Sequence, residues 1–231
     1  MKLEKVTTKP PRRYHDACGA ALGLDLLGER WALLVVRELM LGPRRFGDLR
    51  ADLCGLSANV LTQRLESLEA AGVVTRRRLP PPASVQVYDL TPWGREAEAV
   101  ICTLGRWAAR SPDHDPSLPL SPVSMMLSLR TMFDPAKAGD ALLAVGFRFG
   151  ETTFRACVAD RELRVERTIP EGATVVVEGT PEAVAAVIYG DPAEAEARAR
   201  ESLRIEGDLA AFLRFASWFE LPPKAERPER R

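Results

Sequence analysis

The sequence predicts an α+β protein of two domains: a mostly helical N-terminal domain with one β-hairpin, and a C-terminal antiparallel sheet covered by helices. Three observations predict it. Apolar residues recur with helical spacing through the first part of the chain and with period two over several later segments. Between them lies "SPDHDPSLPLSP", Ser111 to Pro122, with four prolines and little that packs, which reads as a linker. The charge divides at the same place. The formal net charge is zero, yet residues 1–112 carry 17 Lys and Arg against 12 Asp and Glu, and residues 113–231 carry 15 against 20. A basic half joined to an acidic half implies that only the first meets a polyanion.

Residues 1–13 read as a flexible arm and 14–110 as the first domain. A helix is expected over about Tyr14–Leu27, stopped at Gly28. "RWALLVVRELM" is apolar on most sides and reads as a buried helix. "LGPRRFGDL" turns at Gly42-Pro43 and leads into a short helix near Phe46–Leu53. Ser57 is placed to cap the next helix by accepting an early backbone N–H. Leu61, Leu65 and Leu68 then form one apolar stripe, with Asn59, Gln63 and Glu66 opposite and Thr62 and Arg64 flanking. Gly72 ends that helix. "VVTRRRL" and "SVQVYDLT" read as two strands joined across "PPPA", and Thr91-Pro92 open a last helix that reaches about Arg110.

The solvent side of the Ser57 helix offers amides, a hydroxyl and a guanidinium. These groups suit base edges in a DNA major groove. Arg76, Arg77 and Arg78 lead to the hairpin tip, where cations suit phosphates or a minor groove. The candidate DNA-binding residues are therefore Arg44, Arg45, Ser57, Asn59, Thr62, Gln63, Arg64, Arg76, Arg77 and Arg78. A surface helix followed by a charged strand is the plain alternative. The order helix, turn, helix, basic hairpin, helix favours double-stranded DNA.

Other chemistry is hard to assemble. Cys18, Cys54, Cys102 and Cys157 are scattered without a CxxC pair, and the two histidines, His15 and His114, lie in terminal or linker sequence. No GxSxG or phosphate-cradling glycine loop is present, so no catalytic residue, metal or cofactor is expected. No apolar run approaches the roughly 18 residues of a membrane span. The polar start "MKLEKVTTKPPRRYHD" is unlike a secretory signal, which gives the expectation of a cytoplasmic chain without membrane insertion.

"CGAALGLDLLGERWALLVVREL", "GPRRFGDLR", "LSANVLTQRLESLEAAGVVTR" and "YDLTPWGRE" follow one another in order. Over Tyr14–Arg110 this series resembles the HxlR-type winged-helix regulators, relatives of the MarR group. The resemblance implies a homodimer built from the first and last helices of the domain. It also implies recognition helices in successive major grooves of a near-palindrome, with half-sites about one helical turn apart. One departure is Gly19 after Cys18, where the family usually has proline. Several members sense electrophiles or oxidants through the cysteine that Cys18 matches, and Arg12, Arg13 and His15 would favour its thiolate. The alternative is a small apolar residue in a dimer helix.

The second domain is expected over 123–220. "VSMMLSLRTMFDP" reads as a helix, and Val145, Phe147, Phe149, then Phe154, Ala156, Val158, then Leu163, Val165 alternate as in an antiparallel meander with one wet face. "TVVVEGTPEAVAAVIYGD" and "LRIEGDLAAFLRF" resemble the sterol carrier protein type 2-like fold over Val123–Phe219. That resemblance implies an apolar tunnel for a lipid-like molecule, lined by Met125, Met132, Phe147, Phe149, Phe154, Phe212, Phe215 and Trp218. The same residues equally make an ordinary core. Residues 221–231 read as a disordered tail. The function expected is a dimeric DNA-binding transcription regulator, a repressor, gated by a hydrophobic effector. Two alternatives stand beside it: a redox- or electrophile-responsive regulator sensing through Cys18, and a lipid-binding carrier whose winged helix serves dimerisation.

Overall fold

The computed structural model describes residues 13–227. The first unit comprises α1 (Gly19–Leu27), α2 (Ala32–Leu39), α3 (Phe46–Asp52), α4 (Ala58–Ala70), β1 (Val74–Arg78), β2 (Gln86–Leu90) and α5 (Pro92–Ala109). The elements come in the expected order. The first helix starts later than its apolar pattern suggests, because His15 has φ 47° and a left-handed residue cannot sit inside a right-handed helix. Cys18 is left as the residue that caps α1. Of the expected arm, only Arg13 lies within the described residues.

Two local devices shape this unit. After α4, Gly72 takes φ 73°, its N–H bonds to Glu69 O at 3.0 Å, and Val73 N–H bonds to Leu68 O at 2.9 Å. This paired closure satisfies the last carbonyls and turns the chain directly into β1. At the same end of the hairpin, just after β2, Thr91 Oγ1 accepts from Gly94 N at 2.9 Å and donates to Gly72 O at 2.7 Å. A side chain at Gly94 would stand 2.1 Å from Val73 O, so only glycine lets α5 press onto the start of the strand.

The second unit comprises α6 (Pro122–Met132), α7 (Pro135–Ala138), β3 (Leu143–Phe149), β4 (Thr152–Ala159), β5 (Glu162–Glu166), β6 (Val175–Glu178), α8 (Pro181–Tyr189), α9 (Ala195–Ser202), β7 (Arg204–Gly207) and α10 (Leu209–Ala216). Its five strands run β5-β4-β3-β6-β7. The sheet is mixed rather than antiparallel, because β3 and β6 pair in parallel, Val145 opposite Val175 and Phe147 opposite Val177. After the β3–β4–β5 meander the chain crosses back to lie on the other side of β3. The crossing is packed tightly: Pro170 Cβ would be 2.4 Å from a side chain at Gly146, in the middle of β3. Period two identified the strands but is blind to this crossover.

The proline-rich stretch does not hold two separate bodies apart. One continuous apolar cluster runs from Val35, Leu39 and Leu65 of the first unit to Met126, Phe147 and Phe215 of the second. Ser121, at the end of the stretch, caps α6 through Ser124 N at 3.0 Å, and Leu120 N donates to Glu182 Oε1 at 2.8 Å. Residues 221–227, expected to be disordered, run back against the end of α5. Ala225 N–H bonds to Arg110 O at 2.7 Å, and Lys224 Nζ donates to Ala109 O at 3.0 Å. The lysine's ammonium satisfies a carbonyl at a helix C-terminus, which composition alone does not reveal. Residues 228–231 lie outside the described residues.

Candidate nucleic-acid interface

The α3–turn–α4 pair is held by its apolar side, with Leu49, Leu61, Leu65 and Leu68 buried. Ser57 Oγ accepts from Val60 N at 3.3 Å, so this residue is occupied as the cap of α4. Asn59, Thr62, Gln63 and Glu66 form the exposed face of the helix. Thr62 Oγ1 donates back to Ala58 O at 3.0 Å, while the amides of Asn59 and Gln63 point to no side-chain partner in the described structure. Arg64 is turned aside. Its guanidinium reaches Glu29 at 3.4 Å and is only 18% exposed, so it ties α4 to the loop before α2 instead of joining the polar face.

The hairpin separates its three arginines. Arg76, Arg77 and Arg78 pair with Tyr88, Val87 and Gln86 respectively, so Arg77 points to the opposite face from its neighbours. Arg77 donates from Nε and Nη2 to Asp89 Oδ2 at 3.2 and 2.8 Å. Arg95 of α5 takes Asp89 Oδ1 at 2.6 Å, and Asp89 is itself buried. This two-arginine clamp fixes the base of the hairpin on α5. Arg78 lies nearer the tip, with Nε donating to Ser84 O at 3.1 Å, and Arg76 stands 3.9 Å from Glu69.

Arg44 and Arg45 part company as well. Arg45 is exposed beside the N-terminus of α3. Arg44 is turned inward: its guanidinium is paired with Asp52, its side chain is 11% exposed, and its backbone makes a two-way bridge with Tyr88. A cation so enclosed is not free to meet a phosphate, and the sequence could not show this because both arginines sit in the same turn. The residue that sequence reasoning missed is Asp89. Its signal was an acidic side chain in the otherwise β-forming run "VQVYDL", opposite a basic strand.

The unit also carries an exposed apolar surface. α1 contains no buried residue although it reads "GAALGLDLL", and Leu22 and Leu24 are exposed. Along α5, Val100, Leu104 and Trp107 are exposed, Trp107 at 70%. With Ala99 and Thr103 these line a shallow apolar groove of about 510 Å³. At the start of α1 the Cys18 thiol is exposed, and the backbone N–H groups of Ala20 and Ala21 hold its pKa below the ordinary thiol value.

The capped helix, the closed turn and the basic hairpin all lie within residues that match a known family profile. The HxlR-like helix-turn-helix profile matches residues 26–116. An uncharacterised HTH-type transcriptional regulator, YvaP of Bacillus subtilis (strain 168), is 36% identical over 85 residues, which are 37% of this chain and 79% of that protein. The chain belongs to the HxlR-like helix-turn-helix family. The HTH-type transcriptional regulator YodB of the same organism is 36% identical over 84 residues, 36% of this chain and 75% of that protein. The solved structure of the reduced form of YodB is 32% identical, with a TM-score of 0.39, covering 42% of this chain and 98% of that one. The HxlR-like part thus accounts for about two fifths of the chain.

In the remainder, the eight residues expected to line an apolar tunnel are all buried: Met125, Met132, Phe147, Phe149, Phe154, Phe212, Phe215 and Trp218. Among them Phe147, Phe149, Phe154, Phe215 and Trp218 pack ring against ring. The rings of Phe147 and Phe215 are 6.1 Å apart, those of Phe149 and Phe154 6.1 Å, and those of Phe215 and Trp218 5.8 Å. At such separations the rings fill the space between sheet and helices with their own edges and faces. A cleft of about 450 Å³ lies elsewhere, between the units, lined by Glu98, Arg130, Phe133, Leu163, Arg164, Val165 and Glu166.

Proposed function

We propose that the chain is a DNA-binding transcription regulator that works as a homodimer. α4 reads base edges with Asn59, Thr62 and Gln63, while Arg45, Arg76 and Arg78 hold the backbone. Arg64, Arg77 and Arg44 act one step back, fixing the helix and hairpin that carry those groups. The observation that carries the reading is an exposed polar helix face leading directly into a clamped basic hairpin within an HxlR-like unit. The bare apolar faces of α1 and α5 supply the dimer surface, since exposed apolar faces of this kind mark interaction sites. Repression of the genes behind the bound operator is the expected sense. The test is selection of duplexes from a random library by the full chain. Enrichment of a near-palindrome, bound by a dimer, supports the reading; recovery without sequence preference contradicts it.

A second reading concerns Cys18, which caps α1 and so sits at the edge of the proposed dimer surface as an exposed thiol favoured toward thiolate. Oxidation or alkylation there would disturb α1 and release DNA. The Cys18→Ser protein is then expected to stay on its operator under mild peroxide that releases the wild type. Equal release of both proteins sinks this version. For the second unit, the sterol-carrier-like reading with a hydrophobic effector requires the aromatic core to open, and a lipid-like ligand would have to displace rings that now touch.

A further inference from the structure

We infer that α6 is a brace that fixes the dimerisation helix α5 against the helix-turn-helix core, with Glu38, Glu98 and Arg130 as positioning residues for DNA binding. The inference rests on the DNA-binding dimer proposed above.

α6 belongs in sequence to the second unit but is shared by both. Seven of its residues, Val123, Ser124, Met125, Met126, Leu127, Leu129 and Met132, are buried. Both of its ends are fastened to the HxlR-like part by polar contacts. At its start, Ser121 Oγ donates to Glu38 Oε1 of α2 at 2.7 Å. Near its end, Arg130 Nη1 donates to Glu98 Oε1 of α5 at 2.7 Å, and Nη2 donates to the carbonyl of Val165 on β5. Arg106 of α5 returns a bond to Thr131 O at 3.2 Å. The two fastenings are about 13 Å apart along the helix. A rod held at two such points cannot pivot about either.

Glu38 is the strongest sign that position, and not stability, is being served. It is 0% exposed, with Arg37 Nε at 2.9 Å and Ser121 as partners, and its Oε2 has none among the described residues. A buried ion pair with one carboxylate oxygen left over is a poor stabiliser, and its best attested use is to hold one arrangement among several. Further along the same seam, Arg167, which follows β5, lies over the Phe154 ring at 5.5 Å and is in the field of Arg44, Asp52 and Asp48 of the HxlR-like part. The second unit therefore touches both α2 and α5.

The face of α5 that carries Glu98 is opposite the bare one. At about 100° per residue, Val100, Leu104 and Trp107 lie about 180–240° round the helix from Glu98. One side of α5 is bolted to α6 and the other is left for a second copy. Any rocking of α5 on α6 would move the partner's recognition helix, and a dimer on DNA tolerates little of that, because its half-sites sit about 34–36 Å apart.

The measurement is spacing preference. Duplexes enriched on the wild-type full chain are resynthesised with the centre lengthened or shortened by single base pairs, and Kd is read for wild type, Glu98→Gln and Arg130→Met. Glu98→Gln is half-exposed and keeps its shape, so it serves if Arg130→Met fails to fold. The wild type is expected to lose about tenfold or more at the wrong spacing, and both variants to flatten that profile. Variants that keep the wild-type profile, weaker overall or not, overturn the brace while leaving DNA binding intact. A wild-type chain that enriches no sequence overturns the functional reading itself, and the brace with it.

Discussion

α5 and α6 are neighbours with opposite fates. α5 spans 18 residues and buries only Gly94 and Ala109, whereas α6 spans 11 and buries seven. Both carry apolar side chains in plenty. The difference lies in what surrounds them: α6 has helix, sheet and core on every side, while one face of α5 ends in solvent with Trp107, Leu104 and Val100 uncovered. The HxlR-like unit thus leaves an apolar helix face uncovered, whereas the aromatic core of the second unit is covered. Binding is expected of the uncovered face and rigidity of the covered core.

The strongest way to break this comparison is to make the bare face of α5 polar. Leu104→Asp with Trp107→Asp is expected to leave a folded monomer by light scattering, with operator affinity down about 10²–10⁴-fold as the two half-sites are no longer linked. Retention of the dimer would mean that the surface serves something else. The covered core is tested by Phe215→Ala. It removes a ring that contacts Phe147, Trp218 and Phe219, and is expected to cost about 3–5 kcal/mol in urea unfolding. A much smaller cost would point to a loosely filled space there, as a lipid tunnel requires.

Smaller effects separate helix from hairpin. Gln63→Ala is expected to relax preference at one base pair by about 1–3 kcal/mol without altering binding to random DNA. Arg78→Ala is expected to weaken all sequences alike and lower the salt slope by about one. Arg77→Ala should behave differently from Arg78→Ala, because Asp89 would keep Arg95 and the Leu90 N–H but lose both bonds to its Oδ2, and the hairpin base would loosen. Last comes Glu38, whose pKa burial raises above the ordinary carboxylate value. Native Glu38 takes up its proton at a higher pH than in the unfolded chain, so its contribution to stability declines as pH rises through that raised value. Wild type should gain stability relative to Glu38→Gln on acidification from neutrality toward the ordinary carboxylate range, which unfolding at a series of pH values will show.

Much of this was legible in the sequence where local rules decide. Ser57, Gly72 and Thr91-Pro92 mark boundaries of α4 and α5 because capping is local chemistry, and the leucine stripe of α4 is buried as its spacing requires. What the sequence hid was set by contacts distant along the chain. The parallel pairing of β3 with β6, the inward turn of Arg44 to Asp52 and the clamp of Arg77 on Asp89 all depend on partners that no window of residues contains. The same holds for Lys224 at the end of α5, more than a hundred residues away in sequence. Polar side chains are the hardest to place in advance, since a solvent-facing arginine and one locked in a clamp look alike in a sequence.

The most direct test of the central claim is fluorescence anisotropy of the full chain on its enriched duplex and on a scrambled one, across a series of salt concentrations. The account predicts dimer stoichiometry, a preference for the enriched duplex of about 10³-fold or more, and affinity that falls steeply as salt rises. Equal affinity for the two duplexes with little response to salt would contradict it.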